Sequence, residues 1–261
     1  MNYPYFKKLI LVATALSVLC LFPVAVLAKL TAKTNHDHIK VNFTYHGSIV
    51  SVSGETDPGT DLVIKITSPE GHQVLRRKDK VAGILWMNVD KLTFEHVPNV
   101  YFIRSTKKLE DILTPEELDK YAIGYRALER QAEITPDMGE DGKSRWFKEL
   151  VKYKESSRLF AISYGNISFT RKDDGEAYYT EMYWPYEVPP GTYTVTVYAV
   201  KDGKVVDKAE AKVVVEQVGF VKLLADMAKN KGALYGVLSI VIALAAGFGV
   251  GMVFRKGGGA H

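Results

Sequence analysis

The sequence predicts a mainly β domain, interrupted once by helices and tied to a membrane by a single C-terminal span. Three observations carry this reading. Residues 233–254 hold no charged side chain over 22 positions, a length that crosses a hydrocarbon core of about 30 Å at about 1.5 Å of rise per residue. Tyr193, Val195, Val197 and Ala199 alternate with Thr192, Thr194, Thr196 and Tyr198, the period of a β-strand. Leu118, Tyr121, Ala122, Tyr125 and Leu128 recur instead at the spacing of one helical face.

At the N-terminus, Lys7 and Lys8 precede an apolar run that closes on Val26-Leu27-Ala28 before Lys29. A basic start, an apolar middle and small residues at the closing positions predict a cleaved secretory signal over 1–28. An uncleaved N-terminal helix is the competing expectation. The only cysteine, Cys20, follows Leu19 where a lipoprotein signal needs a small residue, so it is assigned to the signal core. Export of the following segment places residues 29 to about 232 outside the cytoplasm, the β domain over 29–217 among them, with a seven-residue cytoplasmic tail at 255–261.

The formal charge of +4 misleads about the exported part. Lys7, Lys8, Lys231, Arg255 and Lys256 all flank apolar segments, and without these five the remainder stands at about −1. That is not the footprint of a nucleic-acid binder. With its one cysteine in the signal, the domain relies on a hydrophobic core, which about 200 residues suffice to build.

Along the exported chain, Ile39, Val41, Phe43 and Tyr45 alternate as a half-buried strand, and 48–53 reads as a second. Thr56-Asp57-Pro58-Gly59 is turn chemistry. Residues 61–78 read as a hairpin about Pro69-Glu70-Gly71, followed by three short strands at 81–88, 92–96 and 100–105. A helical insertion is expected over about 107–156. Thr114-Pro115-Glu116-Glu117 supplies a cap, a first-turn proline and a capping-box glutamate for a helix to about Gln131. A second helix, 144–156, gathers Trp146, Phe147, Leu150 and Val151 on one face. Strands resume at 159–170 and 177–183, and Asp202-Gly203 makes a tight turn between the strand after Gly191 and a return strand over 205–216. Many short strands closing on a long hairpin predict an immunoglobulin-like β-sandwich, two smaller β domains being the alternative. Phe220, Leu223, Leu224 and Met227 then form one face of a juxtamembrane helix at 218–232, suited to an outer leaflet or to the domain surface.

Residues 76–88, from Arg76-Arg77-Lys78 to Trp86-Met87-Asn88, and Phe94-Glu95-His96-Val97-Pro98-Asn99-Val100-Tyr101 resemble a family of bacterial transmembrane proteins first described among alphaproteobacteria. Pro190-Gly191-Thr192-Tyr193, Val218-Gly219-Phe220 and Leu234-Tyr235-Gly236 fit the same pattern. The resemblance implies a signal peptide, an exported domain and one terminal helix in a bacterial inner membrane. It also implies partnership with a multi-span permease similar to sulfite or organosulfonate exporters. It carries over no catalytic residue.

Two sets of residues are candidates for contact. Arg76, Arg77, Lys78 and Lys80 put four cations within five positions. They suit an anion or a partner's acidic loop, or else protect a strand edge. Ser239, Ala243, Gly247 and Gly251 stand at intervals of four along the span, where small residues let a second membrane helix approach. That second helix belongs to an integral membrane partner or to another copy of this chain. His36-Asp37-His38 has metal-ligand spacing, but without a completing pair no metal is expected, and no cofactor motif occurs. Aromatic residues crowd at Tyr178, Tyr179, Tyr183, Trp184 and Tyr186; neighbours on a strand face opposite ways, so one of Tyr178 and Tyr179 is expected outside. The expected function is a non-enzymatic, membrane-anchored accessory subunit of a transporter. A tethered binder of a small anion or envelope component is the alternative, and a hydrolase comes third.

Overall fold

The structure, a computed structural model, describes residues 30–81, 83–172 and 175–255. The expected signal and all of the expected tail except Arg255 lie outside the described residues. Strand exceeds helix, at 44% against 32%, the sheets are curled, and the chain closes on one long apolar helix, so the mainly β class and the terminal span are as expected.

Thirteen strands are described: β1 (Lys33–Thr34), β2 (His38–Val41), β3 (Ser48–Thr56), β4 (Asp61–Thr67), β5 (Glu70–Val81), β6 (Leu85–Pro98), β7 (Tyr101–Ser105), β8 (Glu133–Thr135), β9 (Phe160–Tyr164), β10 (Ser168–Lys172), β11 (Gly175–Trp184), β12 (Gly191–Lys201) and β13 (Lys204–Gln217). Helices α1 (Leu109–Ile112), α2 (Pro115–Lys120), α3 (Tyr125–Gln131) and α4 (Gly139–Ser156) lie between β7 and β9, and α5 (Gly219–Asn230) and α6 (Gly232–Arg255) follow β13. The strands form a four-stranded sheet β1-β3-β11-β10, a six-stranded sheet β2-β13-β12-β4-β7-β9 and a three-stranded sheet β5-β6-β8. The six-stranded sheet draws strands from both sides of the helical segment.

A first core lies between the four- and six-stranded sheets. Trp184 is fully buried in it, edge-on to Phe102 at 6.2 Å and to Tyr193 at 5.0 Å between ring centres. A second core covers the other face of the six-stranded sheet, where Tyr101, Ile103, Tyr198 and Val200 meet Leu109, Leu128, Phe147 and Leu150 from the helices and Leu92 and Phe94 from β6. For this reason β12 buries both faces: Tyr198 and Thr196 are buried as well as Tyr193 and Val195. Alternation alone separates the two faces and does not show that both are covered.

Several expected elements are corrected. Residues 61–78 do not form a hairpin. β4 pairs with β12 and β7, while β5 pairs with β6 in a separate ribbon. The turn between them is drawn toward Asn99, whose N–H donates to Ser68 Oγ at 2.7 Å. Of the stretches expected at 81–88 and 92–96, Val81 ends β5 and residues from Leu85 onward join in β6, a single strand of 14 residues. The strand expected at 159–170 breaks at Gly165, whose φ of +74° turns β9, parallel to β7, into β10, antiparallel to β11. The helix expected from Thr114 to Gln131 breaks at Gly124. Thr114 caps α2 as predicted, accepting the Glu117 N–H, but the Glu117 carboxylate turns away from the cap and accepts the Val205 N–H at 2.9 Å. The Asp202-Gly203 turn forms as predicted, both residues at positive φ, joining β12 to β13.

Candidate functional site

The cations Arg76, Arg77, Lys78 and Lys80 stand on β5, and the structure makes their setting an arm rather than a sheet edge. β8 pairs with β6 only over Thr93–Glu95, so beyond that level β5 and β6 have only each other. Leu92 and Phe94 are buried at the root, whereas Arg76, Lys78 and Lys80 are exposed. Lys91 stands opposite Arg76, and Lys78 and Lys80 stand opposite Asn88 and Trp86. Around the turn, Ile84 is 81% exposed and Leu85 64%, with Met87 also open. From the sequence this stretch is expected only as a short strand over 81–88, with no open apolar tip.

The chain reaches its apolar helix through a short joint. In α5 no residue is buried, and Phe220 and Leu223 present bare apolar side chains. A single residue, Lys231, separates α5 from α6; its N–H donates to Met227 O at 2.8 Å and its carbonyl accepts from Tyr235 N at 3.0 Å. The segment Gly232–Met252 has a mean hydropathy of 2.2 with none of it buried, which by length and composition is enough to cross a membrane. Of the expected small-residue stripe, Ala243, Gly247 and Gly251 line one groove of about 490 Å³, walled by Leu244, Phe248 and Met252. Ser239 stands two turns earlier than Gly247, and its hydroxyl donates to Tyr235 O at 2.8 Å.

A family model described as Putative transmembrane protein (Alph_Pro_TM) matches residues 29–256. The chain belongs to this family. Membrane association therefore rests on both the Alph_Pro_TM match and the exposed apolar helix. No curated protein and no solved structure matches the chain.

The Alph_Pro_TM domain also holds a pocket that sequence reasoning missed. About 250 Å³ in size, it opens at the β9 edge between the two large sheets, lined by Phe102, Arg104, Arg158, Ala161, Ser163 and Met182 among others. Arg104 is half-buried, and its guanidinium has no hydrogen-bond or ion-pair partner among the described residues; burial lowers its pKa from the ordinary arginine value. The signal for it was present, since alternation along β7 puts Arg104 on the inward face with Phe102. Tyr178 and Tyr179 divide as expected: Tyr178 is buried with its hydroxyl donating to Thr31 O at 2.6 Å, and Tyr179 is 44% exposed. His36 and His38 are exposed, and no group of three or more metal-ligating side chains occurs among the described residues.

Proposed function

We propose that the protein is a non-enzymatic accessory or assembly subunit of an integral membrane transporter, anchored once in a bacterial inner membrane. Its β domain, an immunoglobulin-like sandwich with a helical insertion, stands on the periplasmic side and its C-terminus in the cytoplasm. One observation carries the reading. α6 is bare on every side and has a groove floored by Ala243, Gly247 and Gly251, and in lipid, where water exclusion does not hold helices together, such a groove admits a second backbone. The unburied apolar face of α5 supports a seat at the membrane surface. The partner class, a permease similar to sulfite or organosulfonate exporters, comes from the family resemblance alone. Purification of the full-length chain in mild detergent, beside a Gly247→Leu/Gly251→Leu variant, tests the proposal by mass spectrometry of the bound proteins. A permease held by the first and lost from the second is the expected result. Enrichment of no membrane protein with either overturns it.

A second reading, a tethered binder of small organic anions, is supported by Arg104, which has no partner among the described residues, in its pocket rather than by the arm. Titration calorimetry with short sulfonates and carboxylates tests it. Binding abolished by Arg104→Gln is expected, and binding that survives the substitution removes the pocket from consideration.

A further inference from the structure

We propose that the β5–β6 arm is a lipid-surface contact, whose apolar tip seats in the interfacial layer of a bilayer rich in anionic headgroups while Arg76 and Lys78 meet the phosphates. The proposal takes from the proposed function only that α6 spans a bilayer.

Four observations converge on it. First, the arm is unaccompanied. From Arg76 to Val81 it extends about 17 Å at about 3.3 Å per residue, with no third strand paired to it among the described residues. A lone two-stranded ribbon is marginal in water. Second, its tip is apolar and open: Ile84, Leu85 and Met87 are all more than half exposed, a cluster that marks a contact surface when it is contiguous. Third, the cations follow directly behind. Arg76, Lys78 and Lys80 on β5 and Lys91 on β6 are exposed, giving an apolar end and a basic shank. That order matches a bilayer surface, where acyl chains lie beneath anionic phosphates, and each cation at such a surface favours association about five-fold.

The fourth observation is where the arm is rooted. Thr67, the last residue of β4, pairs with Tyr101 of β7 and with Thr194 near the start of β12. Gly191, which opens β12, pairs with Val215 near the end of β13. The chain thus leaves for the arm, returns from it, and departs for α5 and α6 at one and the same end of the six-stranded sheet. The bilayer that α6 spans is therefore within reach of that end whatever else the chain docks to, and the apolar-then-basic order of the arm matches its layers.

The test uses full-length protein on a Cys20→Ser background, reconstituted through its own anchor into phosphatidylcholine vesicles with or without phosphatidylglycerol. An environment-sensitive NBD label is placed at Ile84→Cys or, as reference, at Asp202→Cys in the turn at the opposite end of the sheet. Doxyl-labelled lipid is the quencher, and carbonate-resistant flotation of the same vesicles reports insertion of α6 separately. In anionic vesicles the Ile84 label is expected to shift to the blue and to be quenched several-fold more than the Asp202 label, an excess lost in Arg76→Glu/Lys78→Glu. Equal quenching of the two labels in floated anionic vesicles overturns the proposal and leaves the arm to a protein partner. Quenching at Ile84 that ignores both lipid charge and the double substitution overturns it as well.

Discussion

The Tyr101 hydroxyl lies 2.8 Å from the Gly124 nitrogen, accepting its N–H, and donates to Ala122 O at the same distance. A strand of the central sheet thereby fixes the break between α2 and α3, where Gly124 adopts a φ of +92° that suits glycine. Tyr101→Phe removes both bonds and strands two backbone groups beside a buried ring. A loss of about 1–3 kcal/mol in urea unfolding is expected, with the α2–α3 segment losing amide protection first.

Lys154 is 4% exposed; its Nζ donates to Asn99 O at 3.2 Å and lies over the Phe160 ring, and burial pulls its pKa down from 10.5 to about 8. Between these two values the unfolded chain binds more protons than the folded one, so stability rises with pH through that window. Below about pH 8 the cost of holding the charged amine inside is fully present. Lys154→Met is therefore expected to stabilise the protein at pH 7 by about 1–3 kcal/mol and to flatten its stability between pH 8 and 10.5. Denaturation curves across that range decide it.

Glu117 couples α2 to the β12–β13 hairpin, and the Val205 N–H that it accepts holds its carboxyl below the usual value of 4.5. A depressed carboxyl contributes stability that is present above pH 4.5 and lost as pH falls through the folded value. Glu117→Gln should weaken that acid dependence. Faster hydrogen exchange at the Val205 amide is the direct readout; unchanged exchange would show that the carboxylate does not hold the hairpin.

Gly54 lies so close to the segment leading into β1 that a Cβ there would overlap Thr31 O and crowd the Tyr178 hydroxyl. Gly54→Ala is expected to cost about 1–3 kcal/mol and to release β1 from β3, seen as lost protection at the Thr31 amide, which now donates to Glu55 O at 3.1 Å.

The parts of this fold that could be read from the sequence are those whose cause is local. The absence of charge from Ala233 to Phe254 defines a span without reference to anything else, and Asp202-Gly203 specifies its own turn. Thr114-Pro115 likewise starts α2 unaided. Alternation assigns a strand its two faces but not its neighbour, so β5 was matched to β4 when its partner is β6. Nor does it reveal what covers a face: Tyr198 is buried because the helices lie over β12, a fact written in Leu109, Leu128 and Phe147 far along the chain. The four cations were visible as a cluster, but their position behind an open apolar tip depends on that same unreadable pairing. Arg104 was legible in principle, as a cation in phase with Phe102.

Lys231 gives the last consequence. A single residue joins α5 to α6, and hydrogen bonds on both sides of Lys231 leave no flexible linker between the two helices. One residue added to α6 above Ala243 would turn the groove by about 100° and drop it about 1.5 Å. The direction in which the groove faces, relative to α5, is therefore set by the number of residues between Lys231 and Ala243, so a deletion there turns the groove while leaving its lining chemically intact.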